Sequence, residues 1–137
     1  MIVVDVNVMA YLWLPSQHNA VINELLVNDK DWNSSFLWRS EFRNILTGYV
    51  RRKQYKLAQA IEIQEKAENQ MKGREFVVQS SNVLGLTERS TCSAYNCEYV
   101  ALASQLNVNL ITYDKQVIHA FPEIAMTAEQ YLTNLKK

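Results

Sequence analysis

Three acidic residues stand at the edges of apolar segments, where a charge is hardest to keep. Asp5 follows Met1-Ile2-Val3-Val4, Asp114 follows Leu110-Ile111-Thr112-Tyr113, and Glu41 interrupts the apolar stripe of a helix. A carboxylate beside a core is costly unless it is paired or bound to a metal. A fourth position, Asn96, heads the segment Cys97-Glu98-Tyr99-Val100-Ala101-Leu102-Ala103 and carries an amide. Brought to one point, these oxygens suit a hard divalent cation, Mg²⁺ or Mn²⁺, which keeps several waters and bridges to phosphate. Such a cation lowers the pKa of a bound water and stabilises charge on a phosphodiester during displacement. Without it the carboxylates repel, and at least one takes up a proton.

Each residue also has a plainer role open to it. Asp5 can cap the following helix, Asp114 can start a turn, and Asn96 is a good helix N-cap. Glu41 lies three positions after Trp38 and four before Ile45, so it faces with the apolar stripe, where a solvated Glu does not belong. The plain alternative is a pairing with a nearby Arg at the stripe margin. Asn96 shares a face with Val100 and Ala103, whereas Glu98 falls about 200° away from it. Both reach one site only if Asn96 sits in the first helical turn. Asn7 is a second cap candidate, a donor that orients the Asp5 carboxylate, or a substrate contact.

Cations that could meet scissile phosphates are Arg39 and Arg43, which flank Glu41, and Arg89. The run Arg51-Arg52-Lys53, flanked by Tyr49 and Tyr55, suits a nucleic-acid backbone or simply a solvated helix end. His18 and His119 are isolated, and no glycine-rich loop cradles a phosphate, which argues against a P-loop or a dinucleotide site.

The elements that must position these residues follow from periodicity. Ile2 to Asp5, Trp32 to Ser35, Glu75 to Gln79, Asn109 to Thr112 and Ile124 to Met126 are expected strands. Between them, helices are expected over Val8 to Leu14, Asn19 to Val27, Trp38 to Arg51, Tyr55 to Met71, Val83 to Thr91 and Tyr95 to Leu106, with Ala128 to Leu135 closing the chain. In the third helix Trp38, Phe42, Ile45, Leu46, Tyr49 and Val50 share a face. In the fourth, Leu57, Ala60, Ile61 and Ala67 are expected inward. Strands alternating with helices predict an α/β fold with a parallel sheet. Ligands there sit at the carboxyl ends of the strands, at the switch point, which is where Asp5 and Asp114 fall.

At 137 residues, residues 1–137 are expected to form one domain with a sizeable core. The 14 basic and 14 acidic residues cancel, so there is no global pull toward nucleic acid or acidic membranes. Cys92 and Cys97 fit neither a zinc motif nor a disulfide framework. The start lacks the basic lead of a signal peptide, and no stretch approaches the roughly 20 apolar residues of a membrane span. A cytoplasmic protein is expected.

The segments Val3-Val4-Asp5-Val6-Asn7-Val8, Ser40-Glu41-Phe42-Arg43-Asn44, Ser93 to Ala103 and Leu110-Ile111-Thr112-Tyr113-Asp114-Lys115 resemble, in order and spacing, the PIN-domain family. They are most similar to its toxin ribonucleases of VapC type, and the resemblance runs over nearly the whole chain. It implies a PIN-like three-layer fold with a central sheet of five parallel strands, and a Mg²⁺- or Mn²⁺-dependent endoribonuclease activity. It also implies a homodimer and a cognate antitoxin that inserts a segment at the site. Asp5, Glu41 and Asp114 match the family's acidic positions. Glu98 matches an acid found in a subset of members, and Asn7 a position of Ser, Thr or Asn.

Asn96 stands where the family has Asp. Its oxygen still ligates a cation but brings no charge, a loss on the order of 1–3 kcal/mol in metal binding. Glu98 can compensate. Two rival readings remain open: a non-enzymatic PIN-like domain that only holds RNA or a protein, and a phosphoacceptor receiver domain. Against the receiver, Asp5 has no adjacent acidic partner.

Overall fold

A computed structural model describes all 137 residues. The chain forms β1 (Ile2–Val4), α1 (Val6–Trp13), α2 (Asn19–Asn28), β2 (Trp32–Ser35), α3 (Leu37–Arg51), α4 (Leu57–Gln70), β3 (Glu75–Phe76), α5 (Ser80–Glu88), α6 (Ala94–Leu106), β4 (Leu110–Ile111), α7 (Lys115–Ala120), β5 (Ala125–Met126) and α8 (Ala128–Leu135). The five strands pair in parallel in the order β3-β2-β1-β4-β5. This is an α/β fold with a central five-stranded parallel sheet flanked by helices, the three-layer architecture expected of a PIN-like fold.

The sheet is set by sequence in a simple way. All three β1 residues are buried, as a central parallel strand covered on both faces requires. Register follows from backbone pairing: Val3 opposite Leu110 and Val4 opposite Ile111. The polar β2 sequence Trp32-Asn33-Ser34-Ser35 is buried too. Asn33 and Ser34 are tolerated there because they have partners: Ser34 Oγ donates to the Val4 carbonyl at 3.0 Å, and Asn33 Nδ2 to the Asp31 carbonyl at 3.1 Å, whereas Trp32 Nε1 is left without one. The helices form two packed sets. α6 lies against β1, β2 and β4 and carries α5, while α1 packs on α2, α3 and α4, and α2 on α8. Trp32, Trp38, Phe42 and Tyr99 are the largest side chains of the core.

Several expected boundaries shift for local reasons. α1 starts at Val6, because Asp5 itself is its N-cap. The third strand ends at Phe76, not at Gln79, since Val77 turns outward and is 81% exposed. α5 begins at Ser80 and ends at Glu88, about a turn earlier than its apolar pattern suggested. Asp114 opens a short helix, α7, where only a turn was expected. Leu57 and Ile61, expected inward, are exposed on α4, whose buried face is carried by Ala60, Gln64 and Ala67. The strand order also separates this fold from the receiver domains, whose order is 2-1-3-4-5.

Candidate functional site

β1 is the centre of the sheet, and the chain leaves it toward β2 on one side while β4 lies on the other. The gap between the carboxyl ends of β1 and β4 is thus the switch point, and Asp5 and Asp114 stand at its two sides. Each is the N-cap of the helix that follows. Asp5 Oδ1 accepts from the Val6 backbone N–H at 2.6 Å, and Asp114 Oδ1 accepts from Gln116 and Val117 N–H at 2.9 and 3.3 Å. The capping bonds fall on Oδ1 in both, so each Oδ2 is left to other partners.

Asp5 is the most confined of the acids, with 4% of its surface exposed. Its Oδ2 accepts from Thr112 Oγ1 at 2.7 Å and from Asn7 Nδ2 at 3.3 Å. Burial pushes its carboxyl up from an ordinary 3.8 to about 6; the bonds from Thr112 and Val6 hold it down, and the charges of Glu41 and Asp114 add to the rise. Asp5 therefore feels the charges of both other acids named from sequence. Asn7 serves Asp5 as a positioning donor. Its Oδ1 accepts from Tyr113 N–H at 3.3 Å and its Nδ2 also reaches Thr112, so its amide is turned inward, not toward a substrate.

Glu41 is partly buried at the edge of the α3 stripe. Tyr99 Oη donates to Glu41 Oε1 at 2.5 Å. Burial raises the Glu41 carboxyl, the Tyr99 bond opposes this, and the charge of Glu98 adds to it. Tyr99 in turn is driven far up, by burial first and then by the charges of Asp5, Glu41 and Glu98. Its hydroxyl stays protonated and remains a donor. The charge of Glu98 thus reaches both Glu41 and Tyr99.

Asn96 is not the N-cap of α6. That role belongs to Ser93, whose Oγ accepts from the Asn96 N–H at 3.1 Å. Asn96 lies in the first turn, as a shared site with Glu98 requires. Its Nδ2 donates to Asp114 Oδ2 at 3.2 Å, so an amide stands where a second carboxylate would repel Asp114.

The arginines are a correction. Arg39 is consumed by an internal network: Nε and Nη2 grip Glu75 at 2.6 and 2.7 Å, and Nη1 meets Glu68 at 3.0 Å. It fastens α3 to β3 and α4. Arg43 lies along the α3–α4 cleft, on a different face of α3 from Glu41. Arg89 caps the end of α5 and borders a cleft between α5 and α6 with Ser104 and Gln105. None of the three forms an ion pair with Asp5, Glu41, Glu98 or Asp114.

Two residues that sequence reasoning passed over belong to the site. Thr112 bonds Asp5, Asn7 and the Asp114 N–H, and Tyr99 holds Glu41. A signal existed for each: a hydroxyl in a buried strand two residues before Asp114, and a tyrosine three residues after Asn96 on the inward face.

The donor set is three carboxylates, a neighbouring fourth and an amide, all hard oxygens. None of Asp5, Glu41, Glu98 and Asp114 has a basic side chain within ion-pair distance. No three of the acids are gathered into a group that could hold a metal ion. Hard oxygens without a balancing cation are the donor type a divalent cation prefers.

The fold is similar to that of PAE2754 from Pyrobaculum aerophilum, known from its crystal structure. The TM-score is 0.77 at 18% identity, over 98% of this chain and 96% of that one; at that identity the likeness concerns fold alone. No family model matches the sequence, and no curated protein does.

Proposed function

We propose that this protein is a Mg²⁺- or Mn²⁺-dependent endoribonuclease, the toxin half of a toxin–antitoxin pair. The observation that carries the proposal is the coupled group Asp5, Glu41, Glu98 and Asp114 at the sheet's switch point, with no basic side chain to balance it. Asp5, Glu41 and Asp114 would hold the cation, with Glu98 and Asn96 completing the set. When bound, the cation supplies an activated water and charge stabilisation at phosphorus.

The chain's own residues do the rest. Hydrolysis forms one P–O bond from water and breaks another, with one proton leaving the water and one reaching the departing oxygen. Without a cation, burial raises the proton affinity of Asp5 and Glu41, so a cation that binds them must first displace a proton. Thr112 and Asn7 fix Asp5, Tyr99 fixes Glu41 Oε1, and Glu41 borders a cleft of about 370 Å³ together with Ser40, Asn44 and Tyr95. Asn96 lowers the charge of the set and mutes the activity.

The toxin role, the antitoxin partner, a homodimer and a cytoplasmic setting rest on the resemblance in the sequence segments. A surface suited to a protein partner is the cleft of about 510 Å³ between α3 and α4, edged by Leu46, Val50, Leu57 and Ile61. No helix is long and apolar enough to cross a membrane. The test is RNA cleavage with Mg²⁺ or Mn²⁺ by the native protein, Asp5→Ala and Asn96→Asp. Expected is weak cleavage, none, and enhanced cleavage respectively. Equal cleavage by the native protein and Asp5→Ala would overturn the proposal.

The second reading, a PIN-like domain that binds without cleaving, is favoured by one contact. The Asn96–Asp114 hydrogen bond satisfies both groups with no cation. On that reading Asn96→Asp restores nothing and RNA or protein binding is indifferent to metal.

A further inference from the structure

The chain is neutral as a whole, yet between Glu41 and Glu62 it carries Arg43, Arg51, Arg52, Lys53 and Lys56 and no acidic residue. Four of these cations crowd the turn between α3 and α4. All four are exposed and none has an ion-pair partner.

One of them is held in place. The Arg52 guanidinium lies over the Tyr49 ring, 5.0 Å from its centroid, and Tyr55 stacks with the same ring at 5.3 Å. Its Nε donates to Gln54 Oε1 at 2.9 Å, which leaves the Nη groups without an acidic partner. Gly48 makes the room: a Cβ there would stand 2.9 Å from Arg52 Nη1. Glycine is unfavourable inside a helix relative to alanine, so this position gives up helix propensity and gains a fixed arginine.

The turn is connected to the carboxylates. Glu41, Ile45, Tyr49 and Arg52 succeed one another along one edge of α3, spanning roughly 16 Å at the helical rise. Beside that edge a cleft of about 310 Å³ is bordered by Asn7, Tyr11, Ile45 and Tyr49. Asn7 touches Asp5. Apolar and aromatic walls accept a base face, and a planar guanidinium grips phosphate in a fixed fork.

We propose that this edge of α3 is a single-stranded RNA track. A nucleobase enters the Tyr11–Ile45–Tyr49 cleft next to the carboxylates, and the following phosphates lie on Arg52, Arg51, Lys53 and Lys56. The proposal rests on the endoribonuclease reading for its direction toward Asp5 and Glu41. Single strands are selected because a base must leave its stack to enter the cleft. An acidic protein segment matches the charge but brings no base.

The test is fluorescence anisotropy with a labelled 2′-O-methyl single-stranded oligoribonucleotide in EDTA, where cleavage cannot occur. Expected is binding whose logarithm falls with log salt at a slope of roughly −3, for four phosphate contacts. Arg52→Ala weakens it about tenfold. Gly48→Ala weakens it severalfold while the Tm stays level or rises, an outcome a merely structural role for Gly48 does not give. Tyr49→Phe binds normally and Tyr49→Leu does not. The same sequence as a duplex binds at least tenfold more weakly, and polyglutamate does not displace the RNA.

Wild-type binding by Arg52→Ala and Gly48→Ala overturns the track, as does equal affinity for duplex or displacement by polyglutamate, which would mark a protein-docking patch. Failure of the nuclease reading is distinguishable. There, no variant cleaves with Mg²⁺ or Mn²⁺ while the anisotropy results stand; if only the track fails, Arg52→Ala cleaves as the native protein does.

Discussion

The Thr112 hydroxyl donates to Asp5 Oδ2 at 2.7 Å and accepts from the Asp114 backbone N–H at 3.0 Å. One small side chain therefore joins the two strand ends that carry the candidate acids. Its hydrogen is committed to Asp5, which fixes Asp5 as the acceptor and favours its ionised form. The Asn7 Nδ2 approaches both Asp5 Oδ2 and Thr112 Oγ1, and its Oδ1 accepts from the Tyr113 N–H.

Thr112→Val keeps the volume and removes the hydroxyl. The loss of a bond to a charged, buried acceptor costs about 1–3 kcal/mol at pH 7. It costs less near pH 4, where Asp5 is protonated. Thermal unfolding of the two proteins at both pH values checks this, and a loss equal at both would show that Asp5 is not the partner that matters. RNA cleavage by the variant falls as well, because Asp5 loses its orientation.

Asp5 also sets a pH dependence. Its folded-state carboxyl titrates at about 6 against an ordinary 3.8, so the folded protein holds the proton more tightly than the unfolded chain. The sign follows: Asp5 contributes stability that is fully present below about pH 4 and lost as pH rises through about 6. The full difference is about 3 kcal/mol, and Glu41, raised in the same direction, adds to it. In EDTA the native Tm is expected to fall between pH 4 and 7, and Asp5→Asn to flatten that fall. Added Mn²⁺ restores Tm only above about pH 6, since the cation competes with the proton. A pH-independent Mn²⁺ effect would place the cation elsewhere.

Much of this was legible in the chain because strand ends are legible. A buried strand is a run of apolar residues, so Asp5 and Asp114 announced the carboxyl ends of β1 and β4, and parallel sheets put ligands there. What sequence could not supply was the partner of each side chain. Arg39 sits two residues from Glu41 yet turns to Glu75 and Glu68, from distant segments; adjacency along a helix says nothing of which charge lies opposite. Leu57 and Ile61 match an inward pattern, but Ala60, Gln64 and Ala67 win the buried face, because α4 packs closely on α3 through small residues. Tyr99 was hidden by its own ordinariness, an aromatic on an apolar face whose hydroxyl finds Glu41.

Arg39→Ala tests the corrected role of that residue. Glu75 is 5% exposed at its side chain and also accepts from Trp38 Nε1 at 2.9 Å, so removal of Arg39 strands a buried carboxylate. Breaking such a pair costs about 3–5 kcal/mol. Urea unfolding is expected to show that loss, while cleavage per folded molecule stays unchanged. A drop in cleavage without a drop in stability would return Arg39 to the substrate.

Tyr99→Phe separates geometry from bulk. The ring is 1% exposed and its packing survives, but Glu41 loses the bond that holds Oε1 and resists protonation. The Glu41 carboxyl therefore moves further up, and the acid limb of the pH–rate profile moves to higher pH with it. Turnover falls about 10- to 100-fold at neutral pH, the range seen when a partner that orients a metal-site ligand is lost, and KM for RNA changes little. Metal affinity measured by Mn²⁺ titration falls in parallel, because a proton held on Glu41 must leave before the cation can bind. If the profile stays in place while turnover falls, Tyr99 acts through packing alone, and Glu41 is free to find its position without it.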